Sequence, residues 1–469
     1  MDTKIQTVIL PAVLNIPPAD VAKLLLFALP ITILLYFVIN EIGRFRARLP
    51  NIDGPPGLPV VGNLHQLGPD PAEQLRKWGQ KYGGVYQIMM GNMPVVVFNS
   101  MRAAKDVFIG QGGALVDRPR FYTFHGVLSS VASTIGTTPW SESTKKRLNY
   151  GARLPREAGL FDELTYVEEN VSRIRSAVGS LQDYIPILRL NPINSKSAHA
   201  REINRRRLLY LNRFNDELQQ RLRDDKVQPC IQGNVLKDPD SKFTEVELMS
   251  LSMSMVSGGL DTMVNTLAWT VGTLARRPDI QETAYKAIRD AYGPEIWGKI
   301  EQENGVPYIT ALVKESLRYF SVLRLSLPRT AWRDIEYKGI HIPKGTTVFL
   351  NAWGCNRDET TFGPDVHEFR PERFLASEDG VHLDHAAFGL GTRMCAGNQL
   401  AQRQLYIMML RLIWAFKIEL STDPLENKWN IHPLKDSTEP SHFAAIPPRY
   451  KLRFIPRDSD ILQQMLRAN

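Results

Sequence analysis

The chain has 469 residues, 43% hydrophobic and 23% charged, with 32 glycines and 31 prolines, a balance that excludes a disordered, collagen-like or coiled-coil protein. Lys plus Arg is 57 against 49 for Asp plus Glu, a formal charge of +8. That excess is modest, and without a basic run interleaved with aromatics it argues against nucleic acid while leaving an anionic membrane or an acidic partner open. The three cysteines, Cys230, Cys355 and Cys395, are too few for a disulfide scaffold and place the bulk of the chain in a reducing compartment.

Residues Val21–Ile39 read VAKLLLFALPITILLYFVI, uncharged from Leu24 onward. As a helix the run rises about 28 Å, close to the roughly 27 Å hydrocarbon core of a thin bilayer. Lys23 can reach the headgroups, and Pro30 is tolerated in a membrane helix. Arg44, Arg46 and Arg48 follow, whereas Lys4 is the sole strong base in residues 1–20, so the C-terminal side is expected in the cytosol. The pattern predicts a lumenal stretch over 1–20 and a transmembrane signal anchor over 21–39, with a cleaved signal peptide and a buried core helix as alternatives. A basic, Pro-rich linker over 40–59 then ends in PNIDGPPGLP, an extended spacer. A catalytic domain is expected over 60–460.

Within that domain, Val85–Phe98 carries two β-prone runs around Gly91-Asn92, a hairpin signal. Thr244 with Glu247 forms a capping box, and the helical pattern runs on to Arg277, where Pro278 is predicted to stop it. Leu400–Phe416 reads as another long apolar helix, and Thr347–Leu350 and Lys451–Ile455 as short strands. No repeat, no GxGxxG and no GxxxxGK[ST] is present, so nucleotide binding has no support. Many helices with little β predict a mainly α fold: one large helical domain with small β-sheets, preceded by one transmembrane helix.

The most informative stretch is Phe388–Gly397, FGLGTRMCAG. A lone cytosolic cysteine is usually an inert buried thiol. If Cys395 ligates a haem iron, each neighbour has a physical job. A thiolate pushes electron density onto iron and favours O–O cleavage. Gly391 allows a tight turn beneath the ring, Gly397 lets the following helix approach it, and N–H groups at that helix start support charge on sulfur. Arg393 can pair with a propionate. The motif F-x-x-G-x-R-x-C-x-G, carried by Phe388, Gly391, Arg393, Cys395 and Gly397, resembles the signature of the cytochrome P450 family. The resemblance implies that family's fold, with haem b as cofactor and Cys395 as its axial ligand.

Other motifs acquire meaning beside it. Glu315 and Arg318, one helical turn apart, would alone be a solvated pair. Downstream, Phe369–Phe374 (FRPERF) resembles the family's PERF element, and the resemblance implies a buried structural triad of Glu315, Arg318 and Arg373. Gly258-Gly-Leu-Asp-Thr262 puts two helix-weakening glycines inside the long helix. The bland reading is close helix packing. The resemblance implies instead a groove for O₂, with Thr262 hydrogen-bonding oxygen and Asp261 relaying protons. Met263 stands where the family usually has a second hydroxyl. Arg329 matches a propionate-binding position. Trp140 lies where the helix supporting the other propionate should start, but Thr144 stands where its partner Arg is expected, with Lys145, Lys146 and Arg147 beyond. Cys230 and Cys355 read as inert thiols, and no histidines show metal-ligand spacing.

The passages Phe161–Pro192, VSGGLDTMVNTLAW, VKESLRYFSVLRLSLPRT and HPLKDSTEPSHFAAIPPRYKLRFIP are similar to the fungal branch that hydroxylates phenylacetate and hydroxyphenylacetate. An arylacetate needs a cation or donor cluster in an apolar cavity, for which Arg118, Arg120, His125, Asn265 and Arg324 are candidates. The resemblance implies electrons from NADPH through the flavins of a separate NADPH–cytochrome P450 reductase, cytochrome b5 as a further candidate partner, and a single-pass protein of the endoplasmic reticulum membrane. The stretch Leu148–Gly159 reads poorly as helix, and family members carry additional helices between it and Asp261, so the domain is expected to be shortened around 148–160. Three alternatives stay open: a P450 tailoring an aromatic intermediate of secondary metabolism, a thiolate-haem isomerase or dehydratase, and an inactive truncated relative.

Overall fold

A computed structural model describes residues 18–129, 159–176, 179–191, 194–227, 230–241, 243–293, 305–375 and 383–468. Trp140, the basic run 145–147 and the segment 148–158 lie outside the described residues, as do 1–17.

The N-terminal helix α1 spans Pro18–Ala47, longer at both ends than the predicted 21–39, and Pro30 lies within it. Nothing in 40–47 breaks a helix, and Arg44 Nε bonds Glu41 one turn back at 2.9 Å. Its Leu26–Ala47 portion is long and apolar enough to cross a membrane, and none of the apolar window is buried. The Pro-rich spacer that follows is pinned to the sheet by buried Gln87, whose side chain accepts from Leu49 N at 3.0 Å and donates to Leu49 O at 2.7 Å.

Helix α2 (Pro71–Tyr82) starts with proline in its first turn, and the Asp70 side chain accepts from Glu73 N at 3.2 Å. The hairpin forms as predicted: β1 (Val85–Met90) pairs antiparallel with β2 (Met93–Phe98) around Gly91, whose φ is +60°. The later strands are β3 (Arg329–Thr330), β4 (Ile335–Tyr337), β5 (Ile340–Ile342), β6 (Thr347–Leu350), β7 (Phe416–Leu420) and β8 (Leu452–Pro456). They give a four-stranded sheet of order β1-β2-β6-β3 and two ribbons, β4-β5 and β7-β8. The β2–β6 pair is parallel, so residues far apart in sequence share one sheet and Arg329 comes to its end, opposite Val348.

Most of the described chain is helical. Helix α3 is Leu160–Arg175, α4 is Ser195–Arg223 and α5 is Glu245–Leu274. Helix α6 is Pro278–Tyr292, α7 is Pro307–Phe320 and α8 is Asn398–Ala415. The Thr244–Glu247 capping box is present, but α5 ends at Leu274 rather than Arg277. Pro278 opens α6, where its missing N–H costs nothing, so the predicted stop is a break between two helices. Helices α5 to α8 share the main core, in which the rings of Trp269 and Phe320 stack with centroids 5.4 Å apart. A second core under the sheet contains Phe98, Phe108 and Val348, and it carries the segment on which the cysteine loop rests.

Candidate active site

The loop before α8 is held in place by backbone geometry. Gly391 has φ +68°, and a Cβ there would lie 1.7 Å from the Phe108 carbonyl oxygen, so the loop's approach to that segment requires glycine. Thr392 Oγ1 donates to Gly112 O at 2.9 Å, and Arg393 Nε to Val116 O at 2.7 Å. Cys395 N donates to Phe388 O at 2.9 Å, which closes the loop below the start of α8. Cys395 is exposed, while Cys230 and Cys355 are buried. The packing around its sulfur pushes the Cys395 thiol up, and the Gly397 N–H opposes this. The loop alone therefore does not ionise the thiol; a bound metal ion does so outright. Burial pushes the Cys355 thiol up strongly, and Cys230 Sγ accepts from Gly233 N at 3.2 Å, so both behave as structural groups.

Beside this loop lies an unusual concentration of buried positive charge. Arg118, Arg329 and Arg393 interact with one another. Burial, then Arg393, pulls the Arg329 guanidinium down to about 9; burial, then Arg329 and Arg393, holds Arg118 well below its ordinary value. Asp117 opposes the shifts of Arg118 and Arg393. Arg118 Nη1 donates to the carbonyls of Leu327 and Pro328 at 2.6 and 2.8 Å, and Arg329 Nη2 to that of Leu390. Arg118 Nε and Arg329 Nη1 are buried with no hydrogen-bond partner among the described residues. A buried cation cluster of this kind is costly unless anions complete it.

On α5, Gly258 and Gly259 are exposed, and a Cβ on either would meet nothing within 4 Å. The close-packing reading of this pair therefore finds no neighbour among the described residues to support it, and among them the space beside the helix is open. Thr262 Oγ1 donates to Gly258 O at 2.8 Å, leaving its oxygen to accept from a groove ligand. Asp261 turns toward α3 and accepts from Ser172 Oγ at 2.8 Å. Burial raises its carboxyl, and the Ser172 bond pulls the other way.

Glu315, Arg318 and Arg373 meet in a buried cluster. Arg318 clasps Glu315 with two bonds of 2.7 Å, and Arg373 Nε lies 3.6 Å from Glu315. Arg318 also donates to the carbonyls of Asn356, Val366 and Glu368 at 2.9, 2.9 and 3.1 Å. The cluster thus ties α7 to the segment that leads toward the cysteine loop.

The carboxylate-binding candidates separate on inspection. Arg118 belongs to the cation cluster, and Arg120 is exposed. Arg324 pairs with Asp70, donates to Pro433 O and stacks on Trp353. His125 Nδ1 accepts from Phe121 N at 2.9 Å, and Asn265 is half-buried on α5. Sequence reasoning missed two residues of α3, Ser172 and Arg175. Both lie inside the passage used for the branch resemblance, but only the packing of α3 on α5 reveals them.

Comparison with known proteins agrees with this geometry. The cytochrome P450 family model matches residues 52–134 and 150–454. A 3-hydroxyphenylacetate 6-hydroxylase of Emericella nidulans is 43% identical, over 94% of this chain and 95% of its own. A phenylacetate 2-hydroxylase of the same organism is 35% identical, over 92% and 95%. A cytochrome P450 monooxygenase of Mycosarcoma maydis is 37% identical, over 89% of each. The residues present fit a haem: a reachable sulfur, an open helix face and buried cations lacking anions accommodate an iron, a ring and two propionates. The chain belongs to the cytochrome P450 family, whose members are monooxygenases built on a thiolate-ligated haem iron.

Proposed function

We propose that this chain is a membrane-anchored arylacetate hydroxylase that oxygenates the ring carbon beside the acetate arm, with Cys395 as axial ligand of its haem b. The observation that carries this reading is the agreement of the two Emericella relatives. Their names place oxygen at ring positions 6 and 2, both adjacent to the carbon bearing the acetate, and their similarity runs through most of this chain. Haem held by a cysteinate supplies activation of O₂, which with two electrons and two protons puts one oxygen atom on the ring and the other into water. The chain's own residues hold and feed that chemistry. Gly391 and Gly397 give the loop its close approach, and Phe388 fastens it through its carbonyl. Arg393 and Arg329, joined by Arg118, receive the propionates, which relieves their mutual repulsion. Thr262, whose hydroxyl proton goes to Gly258 O, accepts from a groove ligand, and Asp261, held by Ser172, is the neighbouring carboxyl from which a proton reaches the groove. Glu315, Arg318 and Arg373 keep the segment before the loop in register.

Electrons come from NADPH through the flavins of a separate reductase, with cytochrome b5 as a second donor; the +8 charge suits acidic partners. Residues 1–20 lie in the lumen of the endoplasmic reticulum, 21–39 are the anchor, 40–59 the linker and 60–460 the cytosolic catalytic domain. The test is turnover of phenylacetate and 3-hydroxyphenylacetate with NADPH and reductase under isotopically labelled O₂. Labelled ortho-hydroxylated product is expected, and label arriving from water overturns the reading.

One observation favours a second reading. The family match breaks at 135–149, and the 502-residue span matched with the 3-hydroxyphenylacetate 6-hydroxylase exceeds this whole 469-residue chain. The relative thus carries residues that this chain lacks, and a chain shortened there would retain haem poorly. A reduced, carbon monoxide-treated spectrum without a thiolate-type Soret band selects this inactive reading.

A further inference from the structure

Helices α3, α4 and α5 enclose two carboxyls, Glu168 and Asp261, that the fold treats in opposite ways. Glu168 on α3 and Arg207 on α4 are both buried. Arg207 grips Glu168 through Nε at 2.9 Å and Nη2 at 3.3 Å, and the hydroxyls of Tyr210 and Ser257 donate to the same carboxylate. Each oxygen thus receives two donors, which fills the four acceptor sites of an ionised carboxylate. Asp261 on α5 receives one bond, from Ser172 Oγ at 2.8 Å, and makes no ion pair among the described residues.

The two carboxyls belong to one seam. Glu168 and Ser172 are a turn apart on α3, and Ser257 and Asp261 are a turn apart on α5. Ser257 bonds Glu168 across the seam and Ser172 bonds Asp261, so each rung pairs a carboxyl on one helix with a hydroxyl on the other. The first rung reaches the groove through the chain itself: Ser257 precedes Gly258, whose carbonyl takes the Thr262 hydroxyl at 2.8 Å. The other charged or titratable groups that face Asp261 are Arg175, at the end of α3, and His442. The ring nitrogens of His442 bond to the carbonyls of Ala444 and Glu169 at 2.9 and 3.2 Å, and Arg175 lies over the rings of Phe124 and Phe443. Neither is paired with Asp261 among the described residues.

We propose that Glu168 is a positioning residue for proton delivery: it binds Arg207 and carries the fixed negative charge of the seam, so that Asp261 is left as the carboxyl able to carry a proton to the groove. The proposal rests on the role given to Asp261 above and names the group that confers it. Two neighbouring carboxyls whose surroundings drive them apart separate into a fixed charge and a working acid. Glu168 cannot share the work, because donors fill all its acceptor positions. Asp261 cannot take the arginine, because Glu168 holds it. A like charge on the facing rung favours the protonated form of Asp261, in the same direction as burial.

The experiment uses the full-length, haem-loaded enzyme as wild type, Glu168→Gln, Glu168→Asp and Asp261→Asn. Glu163→Gln is the control, because Glu163 and Arg206 also join α3 to α4 but are 33% and 29% exposed. Two readouts are taken against pH: the infrared band of protonated carboxyls in the resting protein, and product formed per NADPH with reductase and an arylacetate. Wild type should show a carboxyl band that persists above the ordinary carboxylate range and is missing from Asp261→Asn. Glu168→Gln removes the like charge and frees Arg207, so the pH at which that band vanishes should fall by about 1–2 units, and the coupling midpoint with it. Glu168→Asp keeps the charge and should stay near the wild-type midpoint, and Glu163→Gln should match wild type. A Glu168→Gln midpoint equal to that of wild type makes the pair a brace between helices and overturns the proposal. Should the Gln variant lose its haem, the resting band decides. A band absent from Asp261→Asn and kept in Glu168→Asp supports the proposal; one that survives in Asp261→Asn and disappears in Glu168→Asp puts the proton on Glu168 and overturns it. Coupling in Asp261→Asn equal to wild type overturns the Asp261 role and the proposal with it, while leaving arylacetate hydroxylation intact.

Discussion

Replacing Glu315 with Gln tests whether the buried charge cluster holds the site together. The side chains of Glu315 and Arg318 are wholly buried and that of Arg373 is 2% exposed, so water cannot compensate a lost charge. Glu315 accepts two 2.7 Å bonds from Arg318 and one of 2.9 Å from Arg370 N, and it faces Arg373 at 3.6 Å. Removing its charge strips Arg318 of its counter-ion, while Arg373 keeps Asp365 at 2.7 Å; breaking such a buried pair costs about 3–5 kcal/mol. That is a large share of the roughly 5–15 kcal/mol by which proteins are stable. At about 2.1 cal/mol/K per residue, a chain of this length has an unfolding entropy of about 1 kcal/mol/K, so Tm should fall by about 3–5 °C. Scanning calorimetry of the haem-loaded protein at one scan rate measures this, and the carbon monoxide spectrum per mole of protein reports haem loss alongside. Glu202→Gln is the control, because Glu202 and Arg205 have the same spacing but are 49% and 61% exposed. No measurable shift is expected there. If Glu315→Gln and Glu202→Gln melt together with equal haem content, burial is not what gives the cluster its worth.

Cys395→Ser should abolish the thiolate-type carbon monoxide spectrum, while Cys230→Ser and Cys355→Ser, at buried structural thiols, should retain it. Gly391→Ala combines a positive-φ penalty with a collision at 1.7 Å; it should cut haem occupancy severely, as measured by the pyridine haemochrome assay. Thr262→Ala should leave NADPH oxidation running but divert it from product to peroxide, read as the peroxide-to-product ratio. Ser172→Ala removes the bond that opposes the burial-driven rise of the Asp261 carboxyl. The folded protein then holds that proton still more tightly than the unfolded chain does. The pH above which Asp261 ionises moves up, and the acid limb of the coupling-versus-pH profile should move with it. The stability lost as the pH rises should still begin near the ordinary carboxyl range, set by the unfolded chain, but should continue to higher pH and be larger in total.

How far the sequence reveals the site follows from how local each part of it is. The cysteine loop is legible because its demands fall within ten consecutive positions: glycine where φ is positive, a cysteine at the turn, an arginine reaching back to residue 116. Glu315 and Arg318 are legible as a spacing, but their burial is not, since exposed Glu202 and Arg205 show the same spacing. The stop at Pro278 was misread because a proline that suits a helix start looks the same as one that ends a helix. Arg118 reads in the sequence as one of five candidates for a substrate carboxylate, because nothing near it in sequence selects among them. Its true neighbours, Arg329 and Arg393, arrive by way of the sheet, where Thr330 N donates to Asp117 O at 3.0 Å.

That long-range placement makes Arg118 the residue on which the propionate assignment can be tested. Its Nη1 donates to the carbonyls of Leu327 and Pro328 at 2.6 and 2.8 Å, its Nε has no partner among the described residues, and Arg329 and Arg393 oppose its charge. A cation cluster of this kind is costly to bury unless anions complete it. If propionates are those anions, Arg118→Leu should lower haem occupancy in the pyridine haemochrome assay, whereas Arg120→Gln, at an exposed position, should not. Equal haem content in the two variants would mean that the propionates lie elsewhere, and the roles of Arg329 and Arg393 would have to be redrawn.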